Sequence, residues 1–216
     1  MVMFSNKIKI LVQKTLETIL YVVFVIFSPK LFRILKIRFN QLYSKWKSNE
    51  FKKTGNFFNV QYPLYLHGGR YIFIGEKFIS SSRFRLEAYD EHLGFNFQPN
   101  IIIGDNVSFG SDCHLGAINE IMIDDGVLIG SKVFITDHYH GEITTKAIET
   151  PPYERKLFSK GPVKIEKNVW IGEGVVILPN VTIGENSIIG ANSVITKDIP
   201  KNSVVGGNPA KLIRTL

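Results

Sequence analysis

The chain has 216 residues, room for one repeat domain and an appendage, and its hydrophobic fraction of 44% is that of an ordinary globular protein. The net charge of +7 is uneven: residues 1–56 hold eleven Lys and Arg against two Glu (+9), and the remainder holds fifteen against seventeen (−2). The body of the chain therefore lacks the basic face that nucleic-acid binding needs, and the lone Cys113 excludes an internal disulfide framework and fits a reducing compartment.

In chain order, residues 1–56 read as a basic helical segment. An apolar run of nine residues, Ile19 to Phe27, follows Lys9, Lys14 and Glu17. It is shorter than the roughly 20 apolar residues of a bilayer-spanning helix, and Ser28-Pro29-Lys30 is no signal-peptidase site. Pro29 is expected to break the helix. Beyond it, Phe32, Leu35, Phe39, Leu42 and Trp46 fall at spacings of 3 and 4 and form one helical stripe. Lys30, Arg33, Lys36, Arg38, Lys45 and Lys47 surround that stripe, the pattern of a helix lying on an anionic membrane surface. The competing expectations are a cap on the first coil of the domain, a contact with a neighbouring subunit, or a true span.

Residues 57–100 begin a repeat at Ile72, Ile74 and Phe78, and the pattern fades from Ser80 to Pro99. From 101 to 200 it is regular. Ile103, Phe109 and Leu115, then Ile123, Ile129 and Ile135, then Ile165, Ile171, Ile177, Ile183, Ile189 and Ile195 recur every six residues. Six matches neither a 3.6-residue helix nor a two-residue strand, so the repeating unit is a coil. Three positions after the anchor stand Asn106, Gly126, Asn168, Gly174, Asn180, Asn186 and Asn192, which tolerate positive φ and mark the corners. The next position returns a small or branched residue to the core, Cys113 among them. The pattern predicts a mainly β chain: a parallel β-helix behind an N-terminal helical segment.

An excursion over 136–162 interrupts the repeat. It opens Thr136-Asp137-His138-Tyr139-His140-Gly141 and closes on Pro151 to Pro162. Loops on rigid scaffolds carry binding and catalysis, so the functional site is expected there. Residues 201–216 form a tail with Gly206-Gly207-Asn208-Pro209 followed by Ala210-Lys211-Leu212-Ile213-Arg214.

Three segments, Asn168-Val-Trp-Ile-Gly, Gly190-Ala-Asn-Ser-Val-Ile-Thr-Lys-Asp-Ile-Pro and Gly207-Asn-Pro-Ala-Lys, carry a resemblance to the hexapeptide-repeat acyltransferases. The likeness runs from about Ile72 to Leu216 and points to the branch of maltose, galactoside and surface-polysaccharide O-acetyltransferases. It implies a left-handed β-helix, a hand that the repeat period does not supply, and a homotrimer with active sites between subunits. It further implies acetyl-CoA as acyl donor, no metal, and a saccharide acceptor.

By that resemblance His138 stands at the catalytic position, with His140 two residues away as competitor. Trp170, Gly172 and Ala191 would line the coenzyme's pantetheine arm, Thr196 and Lys197 its nucleotide end, and Lys211 and Arg214 its phosphates. Lys211 stands where relatives often carry Arg, which keeps the charge and loses the bidentate fork. Asp112, Asn119, His140 and Arg155 are candidate acceptor contacts. The chemistry is economical: an imidazole near neutrality takes the hydroxyl proton, and backbone N–H groups hold the oxyanion. Asp137 or Glu142 could orient the imidazole, a weak expectation because neighbouring side chains usually point apart.

The basic, aromatic N-terminal segment departs from the small-sugar enzymes. It favours a lipid-linked acceptor in capsule or O-antigen synthesis, and a cytoplasmic protein peripheral to the inner membrane through residues 1–47. Alternative readings are an amino-sugar or drug acetyltransferase, a zinc-binding β-helix using His114, His138 and His140, and a non-catalytic scaffold.

Overall fold

The structure, a computed structural model, describes residues 6–216. It has two compact units, Met1–Gln41 and Leu42–Leu216.

In the first unit, α1 (Asn6–Ile26) ends where the sequence predicts a break. Ser28 Oγ accepts the Leu31 N–H at 3.2 Å, and Pro29 opens α2 (Pro29–Lys47). A serine N-cap with proline at the first helical position satisfies donors that the helix start leaves free. The apolar side chains of α1 are exposed, as is the whole stripe Phe32, Leu35, Phe39, Leu42 and Trp46. One expectation changes here. All of the nine-residue run but Phe27 is part of a 21-residue helix, because the polar residues Gln13, Lys14, Thr15, Glu17 and Thr18 break the apolar pattern without ending the helix. An 18-residue window in the segment Ile8–Glu50 reaches a mean hydropathy of 1.9 with none of it buried, long and apolar enough to cross a membrane by length and composition.

The second unit starts with the last turn of α2. Ser44 Oγ donates to the Val60 carbonyl (3.0 Å) and accepts the Val60 N–H (2.8 Å), while the Tyr43 hydroxyl accepts the Leu64 N–H at 3.0 Å. The chain then winds through three parallel sheets of five, eight and six strands, the last strand of the eight-stranded sheet alone running antiparallel. One coil shows the circuit: Asn100–Ile103 on the five-stranded face, Ser108–Phe109 on the eight-stranded face, His114–Ala117 on the six-stranded face. The next strand, Glu120–Ile123, lies directly against the first, with Ile103 opposite Ile123.

All twelve hexapeptide anchors point inward, none more than 3% exposed. The seven predicted corner residues all have positive φ, between 56° and 72°. Cys113 is core as expected, and burial pushes its thiol up to about 11, leaving it unreactive near neutrality.

The coil continues where the sequence pattern fades. Ile74, Ser80 and Leu86 occupy successive inward positions, and Lys77 and Arg83 take the corners at φ 55° and 59°. A buried serine in an aliphatic slot and long cations in an Asn/Gly slot hide those coils from a pattern search. The tail is a strand: Lys211–Thr215 runs antiparallel to Ser203–Gly206 and ends the eight-stranded sheet.

Candidate active site

The six-stranded face carries the site because parallel register stacks its outward residues into rows. Pairing places His114 between Arg85 and Phe134, and Gly116 between Glu87 and Thr136. Two excursions leave the corner that follows this face. One is the hairpin Glu91–His92 with Phe95–Asn96; the other is the long loop after Thr136. They meet: the His92 and His140 rings lie 6.2 Å apart edge to face, and Lys156 Nζ sits 5.1 Å from the Phe95 ring. Between them and the sheet is a pocket of about 360 Å³ lined by Arg85, Glu87, Tyr89, His92, His114, Gly116, Phe134, Thr136, His138, His140 and Leu157.

His138 lies on this pocket with its Nδ1 2.9 Å from Asp137 Oδ1. The adjacency argument against Asp137 fails, because the chain leaves the sheet at this point and the alternation of a strand no longer applies. Asp137 is fully buried and also accepts the N–H groups of Ile118 (3.0 Å) and Asn119 (2.8 Å). Those amides lie in the eight-residue gap between Leu115 and Ile123, where the sequence slips phase by two. The slip turns two backbone donors onto the carboxylate. A buried carboxylate fixed by two backbone donors presents an acceptor to the ring, so the ring hydrogen is assigned to Nδ1 and Nε2 is left as the basic nitrogen.

Facing it, His114 Nε2 is 3.0 Å from Glu87 Oε2, and Glu87 Oε1 is 2.8 Å from Arg85 Nε. Burial pushes the Glu87 carboxyl up, but hydrogen bonds from His114, Arg85 and Tyr89 outweigh it and hold the carboxyl at about 2. The carboxylate is ionised at any working pH. Gly116 lies between the two imidazoles: a Cβ there would be 3.5 Å from both His114 Nε2 and His138 Cε1. Sequence reasoning missed Arg85, Glu87, Tyr89, His92 and Gly116 as site residues, and gave His114 only to the zinc alternative. Their one signal was that chemically rich residues fall outside the repeat's core and corner slots.

The remaining predicted residues scatter. His140 lines the pocket with His138. Arg155 instead lines a separate cavity of about 460 Å³ between the long loop and Phe95 of the hairpin, its Nε donating to the Thr150 carbonyl at 2.6 Å. Asn119 borders a smaller cavity, its side chain 3.4 Å from Ser159 Oγ, and Asp112 sits at a corner paired with Arg83. Trp170 is exposed on the eight-stranded face, in register with Leu128 and Ile188, and Lys211 and Arg214 lie on the last strand of that sheet. Gly172 and Ala191 stack at the corner between the eight- and six-stranded faces, where a Cβ on Gly172 would meet Ala191 N at 2.6 Å. Thr196 and Lys197 are exposed at the corner after the six-stranded face. One chain thus divides these residues between two faces. Among the described residues no group of three His, Cys, Asp or Glu side chains is arranged to hold a metal ion.

Three stacked parallel sheets built on six-residue units, with a histidine loop at one corner, define a hexapeptide-repeat β-helix enzyme. The family described as "Bacterial transferase hexapeptide (six repeats)" matches residues 162–197. The provisionally named lipopolysaccharide biosynthesis O-acetyl transferase WbbJ of Escherichia coli K12 is 35% identical over 158 residues, which are 72% of this chain and 77% of that protein. Escherichia coli galactoside O-acetyltransferase is 41% identical over 120 residues, half of this chain, and the match spans 57% of its length. The hexapeptide-repeat acetyltransferase VCA0836 of Vibrio cholerae, solved with acetyl coenzyme A, superposes with a TM-score of 0.54 at 26% identity, covering 84% of this chain and 83% of that one. The chain belongs to the hexapeptide-repeat acyltransferases, in the branch of the sugar O-acetyltransferases, whose fold is the left-handed β-helix.

Proposed function

We propose that the protein transfers an acetyl group from acetyl-CoA to a saccharide hydroxyl, with His138 as general base, in the assembly of a capsule or lipopolysaccharide O-antigen. The observation that carries the reading is the buried Asp137 carboxylate fixed by the Ile118 and Asn119 amides and bonded to His138 Nδ1. Nε2 takes the proton of the acceptor hydroxyl as its oxygen attacks the thioester carbonyl. The tetrahedral intermediate then collapses, the C–S bond breaks, and the imidazolium returns the proton to the departing CoA thiolate. General-base catalysis of this kind contributes about 10²–10⁴-fold, and Asp137 stabilises the imidazolium between the two steps.

The division of Trp170, Lys211 and Arg214 from His138, Thr196 and Lys197 by face supports a homotrimer in which the donor lies in the groove between two solenoids. The likeness to WbbJ supports a surface-polysaccharide acceptor. The exposed apolar α1 and basic α2 support attachment at the cytoplasmic face of the inner membrane, where a lipid-linked acceptor would be presented.

Calorimetric titration with acetyl-CoA tests the donor. We expect binding that the double substitution Lys197→Ala with Lys211→Ala weakens about tenfold or more, as charge-assisted phosphate contacts are lost; no binding by the folded native protein would overturn the reading. Flotation of the full chain with anionic and zwitterionic vesicles tests the attachment. Salt-sensitive binding to the anionic vesicles alone indicates a surface helix, retention through alkaline extraction indicates a span, and no binding to either rejects a membrane role.

A further inference from the structure

The His138–Asp137 pair accounts for one side of the pocket; the other side carries a second imidazole–carboxylate pair that proton transfer does not require. Glu87 comes from the strand Phe84–Ala88 and His114 from His114–Ala117, and the parallel register sets them diagonally on adjacent strands. The Glu87 side chain is only 13% exposed and the His114 side chain 28%. Ionised carboxylates are rarely placed at such depth without a task, since desolvation opposes it.

Here Arg85 and His114 each bind one carboxylate oxygen, fixing its direction, and both residues line the pocket that His138 faces. Tyr89 takes a third of the carboxylate's roughly four acceptor positions, and the one left over can accept from a hydroxyl donor. Between the pairs, Gly116 leaves open the volume a side chain would take, within 3.5 Å of each imidazole. The Phe134 ring centroid stands 5.0 Å from that of His114 and gives this side an apolar wall, the mixture of flat apolar and directed polar surface that a sugar ring presents in return.

We propose that Glu87 and His114 are the acceptor-selecting pair: they bind a second hydroxyl, next to the one His138 deprotonates, so the enzyme takes saccharides with two neighbouring free hydroxyls. The inference rests on the transferase reading above and adds to it the chemistry of the acceptor. Glu87 accepts the hydroxyl's hydrogen, His114 and Arg85 keep the carboxylate aimed, and the sugar ring lies over Gly116. Rejection of an acceptor lacking that hydroxyl follows from the unpaired carboxylate it would leave. A site built to bind a hydroxyl discriminates against its absence far better than an apolar pocket discriminates by size.

The test measures release of CoA thiol and acetyl transfer with the full-length enzyme, acetyl-CoA and a panel of methyl hexopyranosides with their monodeoxy counterparts. The native enzyme is expected to prefer the best pyranoside over the counterpart lacking the neighbouring hydroxyl by about tenfold or more in kcat/KM, with the difference in KM. In Glu87→Gln and His114→Ala that preference should shrink to within about threefold, and Glu87→Asp, which keeps the charge, should recover part of it. A merely structural role would lower both acceptors together. The proposal falls if either variant keeps the native preference, if the native enzyme shows none, or if it releases CoA thiol without acetylating any pyranoside. Failure of the native enzyme to bind acetyl-CoA sinks the transferase reading itself, a result the thiol assay and the titration separate from the others.

Discussion

The coils from Val163 to Ile195 and those from Ile72 to Thr136 share one core and differ in discipline. In the later group, Ile165 pairs with Ile183 and Ile171 with Ile189, a constant step of eighteen residues. In the earlier group the step is twenty between Ile103 and Ile123, and twenty-nine between Ile72 and Ile101, where the hairpin is inserted. Every polar residue of the candidate pocket comes from the irregular group and its loop. Regularity maximises burial and fills each anchor slot with isoleucine, with Ser187 and Ser193 the buried exceptions between anchors. Irregularity spends some of that uniformity to aim backbone amides, a carboxylate and two imidazoles at one point. The chemistry sits where the repeat slips.

Three perturbations would break or sharpen this contrast. The largest effect is expected at the slip: His138→Ala should lower turnover by about a hundredfold or more, within the range of general-base catalysis, with assembly unchanged. Steady-state acetyl transfer beside sedimentation checks it, and retained turnover would remove the irregular coils from the reaction. In the regular group, Ile183→Ala should cost about 2–5 kcal/mol of unfolding free energy while kcat stays near native at permissive temperature. Denaturant melts with parallel kinetics read both, and a fall in kcat to match His138→Ala would mean that the stacked coils do more than support.

The smallest expected effect is on acid stability. The folded pKa of Glu87 is depressed from about 4.5 to about 2, so the ionised form is the one the fold favours. Its contribution, on the order of 3 kcal/mol at most, is fully present above the unfolded pKa and is lost as pH falls from about 4.5 through 2. Native protein should therefore be more stable than Glu87→Gln at neutral pH, and the gap should close across that window. A gap that stays constant with pH would show that Glu87 is not held ionised by its neighbours.

The repeat was legible because a β-helix imposes the same requirement every six residues. An inward slot must be apolar and a corner must accept positive φ, so Ile, Asn and Gly announce themselves. The coil from Ile74 to Leu86 was illegible because it meets the same geometry with Ser80, Lys77 and Arg83. His138 became the candidate through the resemblance, with His140 as competitor. The orientation of the His138 ring was not legible, since the Asp137 carboxylate is turned by two amides from a neighbouring coil, some eighteen residues back in sequence. Glu87 and His114, twenty-seven residues apart, are brought together by register alone.

The sequence by itself therefore determined the repeat, its corners, the loop and the uneven charge, all of which are set by local slots or by composition. Only the tertiary structure decided the pocket. A site assembled across coils depends on which residues the parallel register stacks side by side, and that depends on the length of every coil between them.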